Sequence, residues 1–410
     1  MKVAVIGAGA SGLMAAYAAA VNGNSVSVFE KNEKSGKKIY ITGKGRCNLT
    51  NAVSPQQFLQ NVVSNAKFLT GAIYSFSSED TINFFESNGL QLKTERGNRV
   101  FPISDKASDV TRCLENACKN AGVQFNFNKK VDKIKILNST LCNIIVNNTV
   151  LSFDKVIVCT GGVSYPLTGS TGDGYNFARD CGHTVIETKP ALCGVTLKGN
   201  YFIAMQGLSL KNVALNVFYD AKKIHSGFGE MLFTHFGVSG PLVLTASSII
   251  NRLDLKKVRL SIDLKPALSA EQLDERLLRD FAQTPNRGVY TVLKKLLPVS
   301  LIDEVLKRSG IDGGKKVNSV SKSERAALLT IIKSFDMIVS SLRPIDEAIV
   351  TSGGVDVKQV NPKTMESKLV KGLYFCGEVL DVDAFTGGFN LQIAFATGYA
   401  AGNSIKSEDI

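Results

Sequence analysis

Three features of the sequence predict an α/β protein in which one doubly wound domain is split around a β-rich insert. Near the N-terminus a short apolar strand runs into a glycine turn and an alanine-rich helix, over residues 2–20. At 373–402 the same order of strand, glycine turn and helix returns. Between them, from about residue 191, helix–strand alternation gives way to segments of period-two hydrophobicity and then to a helical run.

Val3, Ala4, Val5 and Ile6 lead into Gly7, Gly9 and Gly12, the G-x-G-x-x-G spacing of a Rossmann-like dinucleotide turn. Gly7 permits the tight turn, Gly9 lets a pyrophosphate approach the backbone, and Gly12 lets helix pack closely on strand. Ala10 and Ser11 open the helix, whose free N–H groups and positive dipole end suit phosphate oxygens. Residues 25–30 form a second strand ending in Glu30, 18 residues past Gly12. That is near the spacing of about 20 at which an acid meets a ribose hydroxyl. An acid there selects a ribose without a 2′-phosphate, hence FAD or NAD rather than NADP.

Residues 31–51 read as a long polar loop rich in Gly, Lys, Arg and Asn, from which Lys31, Lys38 and Gly45 can line a cofactor. Helices are expected over 68–76, 78–88 and 108–121, with a short strand and turn at 97–102. Short β segments follow at 123–127 and 131–136, then a hairpin over 138–150. The apolar strand 154–159 ends in Thr160, Gly161 and Gly162, a second approach of chain to the dinucleotide. A helix is expected over 175–181, with His183 as a cap at its end and His225 without context. In the insert, 193–197, 213–219 and 258–264 alternate as strands, and 229–241 reads as a detailed loop. Amphipathic helices are expected around 271–281, 289–296, 300–309 and 323–334. The second glycine–helix unit comprises Gly377, Glu378, Asp383, Gly387, Gly388, Asn390 and Leu391. A long dinucleotide such as FAD needs such a return, because its flavin end must be cradled by a further segment, whereas a plain NAD dehydrogenase does not.

With 410 residues, two or three domains are expected. Hydrophobic residues make up 44% and charged residues 20%, an ordinary soluble balance. No apolar run reaches the roughly 18 residues needed to cross a membrane, and the immediate strand leaves no room for a signal peptide. A cytoplasmic protein is expected. Eight cysteines without a CxxC pair and three histidines argue for free thiols and no metal. The net charge of +12 invites a nucleic-acid reading. The excess is scattered along the chain, at Lys256, Lys257 and Arg259, at Lys294 and Lys295, and at Lys315 and Lys316, with no interleaved aromatics. A solvated basic surface is the expectation, with a small-molecule partner and no stable nucleic-acid partner. The oligomeric state is not legible.

The chain resembles the aminoacetone-oxidase-like family of NAD(P)/FAD-dependent oxidoreductases, some of which look like enone reductases acting on steroids. The resemblance rests on VIGAGASGLMAA (5–16), TGKGRCNLTN (42–51), GNRVFP (97–102), TGGVSYPLTGSTGDGY (160–175), GEMLFTHFGVSGP (229–241), TSGGV (351–355), TMESK (364–368) and GLYFCGEVLDVDAFTGGFNLQIAFATG (372–398), in order along nearly the whole chain. It implies a discontinuous, glutathione-reductase-like FAD domain at 1–190 and 346–410. It also implies a barrel-like insert at 191–265 and 334–345 and a helical subdomain at 266–333. Flavin contacts are implied at Arg46, Cys47 and Asn48 and around 387–391. Val131 is implied as the strand residue whose backbone meets the adenine, and Glu378 stands where many such proteins carry an Asp.

His235, in the 229–241 loop, and Tyr165, just past the second glycine pair, are the acid–base candidates. Cys47 as a redox partner lacks a neighbouring cysteine, so a backbone role is expected. The favoured function is hydride exchange between FAD and a small or medium organic substrate in the cleft beside the insert, by amine oxidation or enone reduction. NADH or NADPH would visit the substrate side transiently, since no second G-x-G-x-x-G follows a strand. The alternatives are an FAD-dependent RNA-modifying enzyme, which a clustered basic face on the insert would support, and a non-catalytic dinucleotide-binding protein.

Overall fold

Strand β1 (Lys2–Ile6) carries Val3, Ala4 and Val5 with no exposure at all, because both faces of the sheet it centres are covered. Its glycine turn feeds α1 (Ala10–Val21), which returns to β2 (Ser25–Phe29). With β3 (Gln124–Asn126), β4 (Lys155–Val158) and β5 (Leu373–Phe375) these strands form a parallel sheet in the order β5–β4–β1–β2–β3. Val5 lies opposite Val28 on one side and Ile157 on the other, and Ile157 faces Tyr374. The sheet thus joins the two ends of the chain. The expected α/β class, with a Rossmann-like sheet domain and a barrel, is what the chain adopts.

The final helix, α2 (Phe389–Ser404), packs on α1 through small residues. A Cβ added to Gly398 would sit 2.4 Å from the Ser11 carbonyl oxygen, and one on Gly402 2.3 Å from that of Ala15. The two helices therefore touch backbone to backbone, and both are apolar on nearly every side.

In this computed structural model residues 1–406 are described; 407–410 and the side chain of Cys142 lie outside them. The chain divides into two compact units, one of residues 1–191 and 344–410 and one of 192–343. Each has its own apolar core.

One expectation in the first unit needs correction. The polar stretch after Glu30 is not loop throughout, since Lys37–Ile41 is a short helix and Thr42–Gly45 a 3₁₀ turn. His183 caps a helix end, as expected, with its backbone and not its ring. Its backbone N–H closes helix Asp173–Asp180 on the Ala178 carbonyl while Gly182 bonds Arg179, a Schellman ending. The imidazole is buried, with Nε2 2.8 Å from Ser367 Oγ and the ring against Phe375.

The second unit is a closed antiparallel barrel of six strands: Val195–Leu197, Gly237–Ser239, Lys222–Thr234, Ser209–Tyr219, Val258–Asp263 and Phe335–Leu342, in that order. Helices Ala270–Gln283, Val289–Leu293, Val299–Ser309 and Lys322–Lys333 are inserted before the last strand. Ser269 with Gln272 and Ser321 with Glu324 form reciprocal capping boxes that fix two helix starts. The detailed loop expected at 229–241 is mostly strand. Met231 and Phe233 alternate into the barrel, and only His235 and Phe236 form the two-residue turn. The sequence reading also missed helix Pro241–Ile250, where Pro241 at the first helical position starts the helix after Gly240.

Candidate dinucleotide site

Every cofactor-contact candidate from the sequence falls in the first unit. Gly7 has φ +102°, and its N–H donates to the Phe29 carbonyl at 2.8 Å. A Cβ on Gly12 would lie 1.9 Å from the Gly7 carbonyl oxygen, so the helix can start this close to the strand only with glycine there. Gly9 is different. It precedes α1 as its N-cap, offers no side-chain cap, and an added Cβ would meet nothing within 4 Å. The first turn of α1, at Ala10 and Ser11, therefore opens on an uncapped row of N–H groups with free space at Gly9. Free backbone N–H groups at a helix start are the kind of group that suits phosphate oxygens.

Glu30 is 8% exposed at the end of β2. Its Oε2 accepts from the Ala8 N–H at 2.8 Å, and its Oε1 from the Asn32 N–H at 2.8 Å and Nδ2 at 2.7 Å. A carboxylate offers about four acceptor positions, so three are used and one remains for a hydroxyl. Lys31 turns to Asp173 at 2.7 Å and Thr171 at 2.5 Å. Val131 is buried at the start of strand Val131–Leu137.

The stretch around Arg46 divides its roles. Arg46 pairs with Glu95 and Asp105 and lies over the Phe101 ring at 4.2 Å. Its carboxylate partners are held below their ordinary range, Glu95 mainly by Arg46 and Asp105 mainly by Lys93. Cys47 is fully buried in a left-handed conformation, φ +59°, beside Gly45. Burial pushes its thiol up to about 12, so it is a neutral side chain on a strained backbone. Asn48 carries a buried Oδ1 with no partner among the described residues, as does Thr160 at Oγ1 just past β4. Two orphaned acceptors beside two glycine turns fit a polar ligand.

A partly buried polar network joins the remaining candidates. Lys38 Nζ is 2.6 Å from both Glu378 Oε2 and Ser164 Oγ. Glu378 Oε1 accepts from Ser164 Oγ at 2.9 Å and from the Thr351 N–H at 2.8 Å. Gly162 fits beneath it, for a Cβ there would meet Thr351 Oγ1 at 2.3 Å, and Gly377 packs on Ser11 in the same manner. Gly161 has φ +72°. Cys159 and Cys376, which follow β4 and β5, bring their sulfurs within 3.1 Å, both buried, and burial holds the Cys376 thiol well above its ordinary range.

Helix α2 also begins on a glycine without a side-chain cap, Gly388 at φ +98°, preceded by Gly387 at φ +126°. Its entrance is bolted. Asn390 accepts from the Ala384 N–H at 3.0 Å and donates to the Ala384 carbonyl at 2.8 Å. Gln392, with no exposure, accepts from the Thr50 and Thr81 hydroxyls and donates to the Phe76 carbonyl. Asn51 donates to the Gly387 carbonyl at 3.0 Å, Asp383 is buried, and Leu391 is half-buried. Gln392, Ser164, Thr351 and Asn51 were not named from sequence as site residues. Each stands inside or beside a glycine motif, which was the available signal.

The two acid–base candidates fall in different units. Tyr165 is half-buried and left-handed, φ +51° and ψ +61°, at the head of the turn Pro166–Thr168. His235 is exposed on the barrel turn with its ring 5.1 Å from that of Phe236. Among the described residues no group of acidic, histidine and cysteine side chains is placed to hold a metal, and no helix is long and apolar enough to cross a membrane.

Comparison with known proteins agrees with this geometry. The model of the HI0933-like protein Rossmann domain matches residues 1–404. A 3-dehydro-bile acid delta(4,6)-reductase of Clostridium scindens is 31% identical over 407 residues, covering 98% of each chain. A ribosomal RNA dihydrouridine synthase of Haemophilus influenzae is 32% identical over 410 residues, again 98% of each. Among solved structures, a 3-ketosteroid-delta4-(5alpha)-dehydrogenase of Rhodococcus jostii shares the fold with a TM-score of 0.54 and 14% identity, over 99% of this chain and 97% of that one. The chain belongs to the HI0933-like family of FAD-binding Rossmann proteins, and its class is that of an FAD-dependent oxidoreductase.

Proposed function

We propose that this protein adds hydrogen across a carbon–carbon double bond conjugated to a carbonyl. The observation that carries the reading is shared by two relatives that each cover 98% of the chain. One is named for reducing the delta(4,6) alkene of a 3-oxo bile acid. The other is named for making dihydrouridine, in which the C5=C6 bond beside the C4 carbonyl of uracil is saturated. Neither name carries amine oxidation, and alkene reduction is the branch these two relatives support.

Bound FAD would supply the hydride. The chain's own part is binding, charge and the proton. The open cradle at Gly9 and the first turn of α1 would hold the pyrophosphate, with Glu30 accepting a ribose hydroxyl. Asn48 Oδ1 and Thr160 Oγ1 are free to take further hydrogen bonds. The uncapped start of α2 favours negative charge in front of it, of the kind that accumulates on a reduced ring system. Hydride reaches the carbon β to the carbonyl, and a proton must reach the α carbon. Tyr165 is our candidate for that proton, since a half-buried tyrosine held in a left-handed backbone is a strained and specified residue. His235 is the other candidate. NADH or NADPH would be the electron source.

A second reading keeps the chemistry and changes the carrier: the reduced base lies within RNA. One observation favours it. The second unit holds 22 Lys and Arg against 13 Asp and Glu, so +9 of the chain's +12 resides in 152 residues.

The test is an anaerobic spectrum of the yellow protein, bleached by NADH or NADPH and then mixed with a 3-oxo-4-ene steroid or a uridine oligonucleotide. Return of the yellow colour with saturation of the alkene is expected. Reoxidation by air but by neither acceptor would contradict the proposal. Tyr165→Phe should slow the acceptor step by about 10²-fold or more and leave bleaching unchanged; His235→Ala, measured alongside, separates the two candidates.

A further inference from the structure

Between helix Lys37–Ile41 and strand Thr50–Asn51 the backbone turns left-handed at four of five consecutive residues, Gly43, Lys44, Gly45 and Cys47. Two of the four are not glycine: Lys44 has φ +58° and Cys47 φ +59°. A residue with a Cβ keeps such a conformation only where its surroundings impose it. Within the loop, the Arg46 N–H donates to the Gly43 carbonyl at 3.3 Å and that of Cys47 to the Thr42 carbonyl at 3.1 Å. A second hold comes from outside. Arg46 keeps a right-handed backbone between two left-handed neighbours and carries its guanidinium to Glu95 and Asp105. Its Nε and Nη2 donate to Asp105 Oδ1 at 2.9 and 2.6 Å, while Nη1 and Nη2 donate to the two Glu95 oxygens. Lys93 closes the rosette on Asp105 Oδ2 at 2.7 Å, and Phe101 stacks on the guanidinium. These four bonds leave at most one of the five guanidinium N–H groups for anything else. A guanidinium forked by two carboxylates over a ring is fixed in orientation, which a lone surface pair is not.

The far end of the loop meets the entrance of α2. The Leu49 N–H donates to the Val100 carbonyl at 2.9 Å, and Thr50 pairs with Val100, next in sequence to Phe101. A Cβ on Gly388 would lie 2.4 Å from the Thr50 carbonyl oxygen. Asn48, with its orphaned Oδ1, therefore stands in the chain between the left-handed loop and the backbone against which α2 begins. An amide oxygen needs a donor. The pyrophosphate of FAD has no hydrogen to give, whereas its ribityl hydroxyls and ring N–H do, so an acceptor at Asn48 suits the flavin end.

We infer that Arg46, Glu95 and Asp105 are positioning residues that hold the 43–47 loop in its left-handed form, and so aim Asn48 at the flavin end of FAD without touching it themselves. The inference rests on FAD binding and is independent of the alkene-reduction reading. It is tested by titrating FAD into the cofactor-free chain, melting each cofactor-free protein, and recording the visible flavin band at saturation. Arg46→Ala should weaken FAD binding on the order of 30-fold, the scale of one buried hydrogen bond to a fixed partner. Glu95→Gln/Asp105→Asn leaves Arg46 in place and should weaken binding about as much, since it releases the same loop. The variant carrying all three changes should be no more than about threefold weaker than either, because both act along one path. Asn48→Ala should lose a comparable factor, and its flavin band should match that of Arg46→Ala and differ from the parent's. The cofactor-free melts should stay within about 4 °C of the parent, as expected for partly exposed ion pairs. The inference is overturned if Glu95→Gln/Asp105→Asn binds FAD like the parent while Arg46→Ala does not, for the guanidinium then touches the cofactor itself. It is equally overturned if the losses multiply in the combined variant, if the Arg46→Ala flavin band is the parent's, or if weaker binding comes with a collapsed cofactor-free melt. A parent that binds no FAD overturns it together with the FAD assignment, whereas the other outcomes leave that assignment standing.

Discussion

The two helices that begin on a glycine, α1 and α2, are alike in burial and opposite in how their starts are held. At α1 the entrance is bare backbone, with Gly9 facing open space and no side chain across the first turn. At α2 the entrance is fixed by side chains from distant parts of the chain: Thr50, Asn51, Thr81 and the Phe76 carbonyl all meet Gln392 or Gly387. The first kind of site is made by local sequence, and a ligand completes it. The second is positioned by tertiary contacts, although its first turn is equally without a side-chain cap. A phosphate needs only N–H groups, whereas a ring edge must be met at one position, and position comes from bolts.

Three substitutions sharpen or break that contrast. Gly12→Val should have the largest effect, because its Cβ would start 1.9 Å from the Gly7 carbonyl oxygen; the overlap costs about 3 kcal/mol or more, and little folded protein should survive a thermal melt. Gly9→Val should leave the FAD-free protein melting within about 2 °C of the parent while FAD affinity falls at least ~100-fold. Its side chain meets nothing until a pyrophosphate arrives. Equal loss of stability and affinity would dissolve the distinction between the two glycines. Gln392→Leu should cost about 2–4 kcal/mol, since the Phe76 carbonyl and two hydroxyls lose their partner in a dry interior; a melt unchanged from the parent would mean that the bolt is ornamental.

The smallest effect concerns His183, remote from both entrances. Burial holds its imidazole below the ordinary value, so the folded chain keeps it neutral. The unfolded chain takes up a proton below about 6.5, and stability therefore falls as pH drops through that value. His183→Gln should flatten the fall in melting temperature between about pH 7 and 5.5. An identical slope would assign the acid sensitivity to other groups.

Where the sequence could be read, the physics was local. The G-x-G-x-x-G turn, Glu30 at the end of β2 and the returning glycine–helix unit at 387–402 each lie within one stretch of chain. What escaped was long-range. Glu378 reaches Lys38 across 340 positions, and Gln392 reaches Thr50 across 342, so no window on the sequence could have paired them. Glycines misled the reading at 229–241, where Met231 and Phe233 point into the barrel and extend a strand through apparent loop residues.

If the two glycine-headed helices of one unit together hold a single FAD, loading is one cofactor per chain. The most direct measurement is the amount of FAD released on denaturing the protein after saturation and removal of free cofactor, expressed per chain. One FAD per chain for the parent, and none for Gly9→Val at unchanged melting temperature, is the predicted result. A parent that retains no FAD, or a Gly9→Val protein as fully loaded as the parent, would contradict it.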